Sequence, residues 1–257
     1  MALAIDLSGT AAIVFGVANH RSIAWAIAQQ LHEAGARLTV TYQNERLAKN
    51  ATELVAELAD AQAVECDVLD ESSVGAAVDA ACSAAPLGAV VHSVAFANRE
   101  DLEADFSATT IEGFHTALDV SAYSLLPVAR AASAKMTGGG SILTLTFHAA
   151  DKVYRGYNVM GVAKAALENE VKQLAAEYGR RGIRVNAISA GPLSTLASRG
   201  ISGFTDMQQI HAERSPLGRN ITQEEVGSAA VFLSSPLASG ITGHVLYVDA
   251  GYNVMGV

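Results

Sequence analysis

The chain has 257 residues, of which 50% are hydrophobic and 17% charged, and it carries a net charge of −9 at neutral pH. That composition supplies a sizeable core and excludes a disordered chain, while the acidic balance excludes a nucleic-acid surface, which needs a basic stripe. The cysteines, Cys66 and Cys82, lack the spacing of a metal site or redox pair, no apolar run is long enough for a bilayer, and Met1 to Asp6 has no basic n-region, so we expect a cytoplasmic protein with no metal and no membrane association.

Short apolar runs alternate with longer helical patterns. Residues 10–16 read as a buried strand, 22–34 as a helix, 36–41 as a second strand and 44–58 as a helix. A strand over 61–66 and a helix over 70–84 follow. Strands over 87–94 and 141–147 flank a long helical stretch over about 111–136. Beyond them lie a helix over 157–178, a strand over 183–189, a helix over 223–233 and a strand over 244–248. Such alternation implies parallel strands, right-handed crossovers and helices on both faces. The expected fold is α/β: a doubly wound Rossmann fold with a seven-stranded parallel sheet, in one domain over 1–257. Tyr157-Asn-Val-Met-Gly-Val162 recurs as Tyr252-Asn-Val-Met-Gly-Val257, but the flanks differ, so the repeat is taken as coincidence.

In such sheets ligands bind at the carboxyl ends of the strands. After the first strand comes Gly16-Val-Ala18-Asn-His-Arg-Ser22-Ile23, which is not a G-x-G-x-x-G fingerprint. Gly16 and Ala18 still permit close backbone approach, and a helix starting near Ser22 offers free N–H groups to a pyrophosphate. A turn with one glycine is also often just a turn. After the second strand, Gln43 is neutral and suits ribose hydroxyls, with no basic pair for a 2′-phosphate, so NADH is favoured. After the third, Asp67 either meets an adenine amino group or serves as an N-cap or Asx-turn residue.

Tyr157 and Lys164 are seven residues apart in helix-forming sequence, which puts both on one face two turns apart. The ammonium would favour charge on the phenol oxygen and make Tyr157 a better proton donor. The plainer alternative is one interfacial tyrosine and one surface lysine.

Several segments occur together in order. They include residues 16–23, Thr41-Tyr-Gln-Asn44, Cys66-Asp-Val68, His92-Ser-Val-Ala-Phe96, Asp119-Val-Ser-Ala-Tyr-Ser124, residues 157–168, Arg184-Val-Asn-Ala-Ile-Ser-Ala-Gly-Pro192 and Ile241-Thr-Gly-His-Val-Leu-Tyr-Val-Asp249. Over essentially its whole length the chain resembles the NADH-dependent enoyl-[acyl carrier protein] reductases, a divergent branch of the short-chain dehydrogenase/reductase superfamily. The most specific element is the six residues between Tyr157 and Lys164, where ordinary superfamily members have three.

The resemblance implies Tyr157 as the catalytic residue and Lys164 as the ligand of the nicotinamide ribose. It implies cofactor contacts from Gly16, Ala18, Ser22, Ile23, Gln43, Asp67, Val68, Ser93, Ala95, Leu193 and Thr195. Substrate contacts are implied for Ala97, Phe147, Met160, Leu196 and Phe204, under a covering segment at about 196–210. It further implies NADH/NAD+ as cofactor, an acyl carrier protein bearing an enoyl thioester as partner, and a homotetramer.

Four departures stand out. Phe147 occupies a position that is often a second tyrosine, so Tyr157 would act without that hydrogen bond. Ser194 replaces a common arginine. Tyr154-Arg155-Gly156 replaces a stretch that usually contains proline, which should loosen the loop entering the catalytic helix. The covering segment lacks a basic cluster, leaving Arg199, Arg214 or Arg219 to dock an acidic carrier. A ketoreductase or alcohol dehydrogenase would instead show Tyr-x-x-x-Lys, which no tyrosine here provides. A silent NAD(H)-sensing protein would lack Tyr157 or Lys164.

Overall fold

A computed structural model describes residues 5–83, 85–195, 198 and 203–256. The strands are β1 (Ala11–Phe15), β2 (Arg37–Tyr42), β3 (Gln62–Glu65), β4 (Leu87–His92), β5 (Gly140–Thr146), β6 (Ile183–Ala190) and β7 (Val245–Val248). All pair in parallel, in the order β3-β2-β1-β4-β5-β6-β7, so the expected seven-stranded sheet is present. The order reverses between β1 and β4, the point where open α/β sheets leave a crevice.

The helices are α1 (Ile23–Glu33), α2 (Glu45–Val55), α3 (Glu71–Cys82), α4 (Arg99–Glu103), α5 (Ile111–Leu118), α6 (Leu125–Lys135), α7 (Asn158–Tyr178), α8 (Phe204–Arg214) and α9 (Gln223–Ser234). Strand side chains alternate between two cores because successive Cβ atoms point to opposite faces. Ile13, Phe15 and Val90 pack under α3, α6 and α7, against Val78, Leu125 and Leu167. Ala12, Val14 and Leu38 pack under α1 and α9, against Ile27, Leu31 and Val226.

Three expectations about elements need correction. The stretch over 111–136 is not one helix: α5 and α6 are joined by a π-helical turn, Asp119–Tyr123. Pro127 explains the break, because it cannot donate to the carbonyl four residues back and its ring crowds that carbonyl. Ser124 N instead donates to Asp119 O at 3.0 Å, a five-residue closure. The helix expected from residue 157 starts at Asn158, leaving Tyr157 as its N-cap. Finally, α4 and α8 were not anticipated, since α4 is short and α8 has no strong apolar stripe.

Gly16 sets the junction between β1 and β4. Its φ is +90°, and a Cβ there would lie 2.4 Å from Ser93 O, so the β1–α1 turn closes onto the end of β4 only with glycine. Gly16→Ala should lower the unfolding free energy by at least about 1–3 kcal/mol, read as a lower denaturation midpoint. An unchanged midpoint would show that the turn tolerates a side chain.

Candidate active site

After β1 the chain is fastened to its neighbours before α1 begins. Val17 N donates to Thr41 O at 3.1 Å, and Gly16 N reaches Thr41 Oγ1 at 3.4 Å. Ser22 caps α1, its hydroxyl accepting from Trp25 N at 3.2 Å and donating to Asn19 O at 2.7 Å. Its N–H also donates to Asn19 O. Ser22 is therefore occupied within the turn, and the N–H groups of Ile23 and Ala24 have no acceptor among the described residues. Free donors at a helix N-terminus, above a glycine that no side chain can replace, fit a pyrophosphate.

Two clefts open beside this turn. One, of about 520 Å³, lies between Arg21, Ser194, Thr195 and Phe204; the other, of about 610 Å³, runs past Asn19 toward Asn50 and Glu53 of α2. Ala18 lies in the β1–α1 turn, half-buried, and Gln43 is exposed after β2. At Asp67 the Asx-turn is what forms: Oδ1 accepts from Leu69 N at 3.0 Å. Asp70 is the cap of α3, accepting from Ser72 N at 2.9 Å. Asp67 keeps its second carboxylate oxygen free of protein bonds, and Val68 is buried beside it. Burial pushes the neighbouring Cys66 thiol up to about 11, which leaves it unreactive.

Lys164 is 5% exposed, and its ammonium donates to Leu145 O of β5 at 2.9 Å. Burial brings its pKa down to about 8, opposed by the carboxylate of Glu168. Glu168 in turn accepts from Thr146 Oγ1 at 2.8 Å. Tyr157 is half-buried, and its hydroxyl has no hydrogen-bond partner among the described residues. Burial raises the phenol above its ordinary range. The expectation that Lys164 would ease ionisation of Tyr157 therefore fails here: no bond joins them, and the ammonium is turned to β5. Burial thus favours the neutral phenol at Tyr157.

The loop before Tyr157 is fixed by other means than proline. Phe147 lies between two tyrosines, its ring 4.7 Å from Tyr154 and 5.2 Å from Tyr157. The Tyr154 hydroxyl and His148 Nδ1 are 3.1 Å apart, and His148 packs edge-on to Tyr252 at 6.2 Å. Tilted aromatic contacts of this kind stabilise by about 0.5–1.5 kcal/mol each, and they tie this loop where a proline is missing.

The segment after β4 starts at Ser93, whose N–H donates to Phe15 O at 3.2 Å, and forms a wall over 93–97. Ala95 is exposed and Ala97 half-buried. The wall is pinned by Ser121 of the π turn, which accepts from Phe96 N at 2.9 Å and donates to Phe96 O at 3.1 Å. The residue type gave no sign of that role; the Pro127 break was its only trace. Below, His92 Nε2 meets Ser124 Oγ at 2.7 Å, and that hydroxyl donates to Val120 O at 2.7 Å. On its other side, His92 Nδ1 lies 3.1 Å from Thr144 Oγ1, so hydroxyls hold the ring at both nitrogens. Burial, and then Lys164, bring His92 down to about 3, so it is neutral.

Met160 is buried, and Leu193 packs on the core edge. Thr195 Oγ1 accepts from Ser198 N at 3.1 Å. Phe204 opens α8, so the described part of the expected covering segment is mainly helix. Leu196 and Arg199 lie outside the described residues. Ser194 bonds Gln208 at 3.2 Å, and Arg219 is engaged by Glu225 at 2.6 and 2.9 Å. Of the three arginines considered for carrier docking, Arg214 alone is both described and without a salt bridge.

A family profile described as enoyl-(acyl carrier protein) reductase matches residues 16–253. The chain is 49% identical to the enoyl-[acyl-carrier-protein] reductase [NADH] FabI of Nostoc sp., over 98% of this chain and 100% of that protein. It is 48% identical to the Bacillus cereus enzyme of the same name, over 97% and 99%. The structure of the Bacillus cereus reductase with NADP+ and indole naphthyridinone superposes with a TM-score of 0.95 at 48% identity, covering 98% of this chain and 99% of that one. That of the Anaplasma phagocytophilum reductase with NAD gives 0.93 at 43%, covering 98% and 96%.

The buried ammonium predicts a pH dependence. Binding that uses Lys164 as a cation should weaken as pH rises through about 8, and Lys164→Met should abolish that dependence, both measured by NADH fluorescence titration. Stability has the opposite sign. Protonated Lys164 costs the cofactor-free fold most below pH 8, and the cost is relieved toward the unfolded value of 10.5.

Proposed function

The chain belongs to the enoyl-[acyl carrier protein] reductase family, and on that premise we propose how its own residues divide the work. The reaction is reduction of the carbon–carbon double bond of a trans-2-enoyl thioester in fatty-acid elongation, with NADH as cofactor. The observation that carries the assignment of roles is the Tyr157 hydroxyl, protonated, without an acceptor among the described residues, on a ring packed 5.2 Å from Phe147.

NADH, when bound, supplies the hydride that adds to the β-carbon. Gly16 and Ala18 let the backbone approach its pyrophosphate, while Ile23 and Ala24 offer N–H groups to it. Thr195 and Leu193 border the far side. Gln43, Asp67 and Val68 form the adenosine end, where Asp67 retains one free carboxylate oxygen. Lys164, bonded to a single carbonyl, has two further N–H donors for the ribose hydroxyls. Ser93 and Ala95 form the wall beside the ring.

The substrate lies over Phe147 and Met160, bounded by Ala97 and Phe204. Charge develops on the thioester oxygen as the β-carbon accepts hydride. Tyr157 donates a hydrogen bond to that oxygen, stabilising the enolate at the moment it forms. Phe147 donates nothing and acts through its ring alone. The neutral phenol suits this role better than an ionised one, because an anion could not donate.

We also propose one catalytic domain over the chain, an acyl carrier protein as bearer of the thioester, a cytoplasmic location and a homotetramer. Exposed Phe106 and Ile111, 54% and 60% accessible, suit a subunit interface around α5. No helix among the described residues is long and apolar enough to cross a membrane.

Mixing the protein with crotonyl thioester and NADH should give absorbance loss at the nicotinamide band. Tyr157→Phe should reduce kcat by about 10²-fold or more, as for one oxyanion donor, with NADH affinity unchanged. Full turnover in that variant would remove Tyr157 from the mechanism. A reaction with β-ketoacyl but not enoyl substrate would replace the function itself.

A further inference from the structure

The residue after Tyr157 is strained. Asn158 has φ +33°, although it is the first residue of α7. That position normally takes a φ near −65°. The other described non-glycine residues with positive φ are Asp60 and Ala250. Strain of this kind persists only where surrounding contacts over-determine it, and it gathers at functional sites.

The contacts are on the side chain. Asn158 Nδ2 faces Asp101 O at 3.4 Å, Leu102 O at 3.1 Å and Ala104 O at 2.5 Å. These carbonyls end α4, where a helix leaves acceptors without partners. The amide therefore answers a cluster of carbonyls while holding its own backbone in the left-handed region, which asparagine tolerates better than most residues. The α4 segment follows directly on the Ser93–Ala97 wall, and its Asp101 carboxylate accepts from Asn98 at 3.1 Å. Asn158 thus ties the start of the catalytic helix to the wall across the site. If its φ relaxed to the helical value, the preceding peptide and the Tyr157 ring would swing away from Phe147.

We infer that Asn158 is a positioning residue, setting where the Tyr157 hydroxyl stands relative to the wall and hence to the thioester oxygen. The inference rests on the reductase reading above. It extends it by assigning part of the catalytic geometry to a side chain that does not touch substrate.

The test is a double-mutant cycle in the full chain, with crotonyl thioester and NADH. Asn158→Gly keeps the backbone conformation accessible but removes the amide; Asn158→Asp keeps the shape but removes the donor. Each should lower kcat about 10- to 100-fold, the scale of an ångström-sized misplacement, with NADH Kd within about twofold of the parent. In a Tyr157→Phe background the same changes should have almost no effect, because the group they position is gone. Additive losses would overturn the inference, as would unchanged kcat in Asn158→Gly. Variants that fold poorly or lose NADH binding along with kcat would also overturn it, making Asn158 structural only. If the parent protein does not reduce the enoyl thioester, the functional reading fails first, and that result is separate from any effect at Asn158.

Discussion

The site is organised around a lysine ammonium taken out of water beneath the sheet. Lys164 is nearly inaccessible and bonded to one backbone carbonyl, Leu145 O at 2.9 Å. A buried charge is costly unless its donors are satisfied, and here the protein answers only part of the need. Glu168 helps at a distance, but burial raises its own pKa, and it is turned to Thr146. The unanswered part of the ammonium is what a ribose diol can supply. The bond to Leu145 O joins α7 to β5. Burial first, and then Lys164, keep His92 neutral.

Tyr157 depends on that arrangement but is not part of the helix. As the N-cap it stands off the end of α7, with Asn158 in a left-handed conformation behind it. The wide spacing from Lys164 therefore cannot be read as helical turns alone. In carbonyl reduction, hydride arrives at the carbon bearing the oxygen. In enoyl reduction it arrives two carbons away, so the donor must stand further from the hydride source. A phenol displaced from the helix axis suits that separation. Lys164 does not activate it, and a neutral hydrogen-bond donor needs no such activation.

Much of this was legible in residue order. Runs such as Ala11–Phe15 are apolar throughout, which only strands covered on both faces require. Alternation with helices then dictated the parallel sheet. The pairing of Tyr157 with Lys164 and the glycine at 16 stood out as candidate site residues. What escaped depends on contacts far apart in sequence. Nothing near Tyr154 announced that it would meet His148 and pack at a tilt against Phe147. Ser121 pins Phe96 across twenty-five positions, from the π turn that joins α5 to α6. Asn158 meets α4 across more than fifty positions, and its strain is invisible in a segment of good helix formers. At Asp67 two local readings were open; the Asx-turn forms through Leu69 N, and it uses only one carboxylate oxygen.

The most direct measurement follows the hydride itself. Crotonyl thioester should be reduced with NADH carrying deuterium at the transferable C4 position, and the product analysed by mass spectrometry and NMR. The account predicts one deuterium at the β-carbon of butyryl thioester, with the α-carbon proton drawn from solvent. Deuterium on the former carbonyl carbon would contradict it, because the site would then be reducing carbonyls and Tyr157 would be serving a different oxygen.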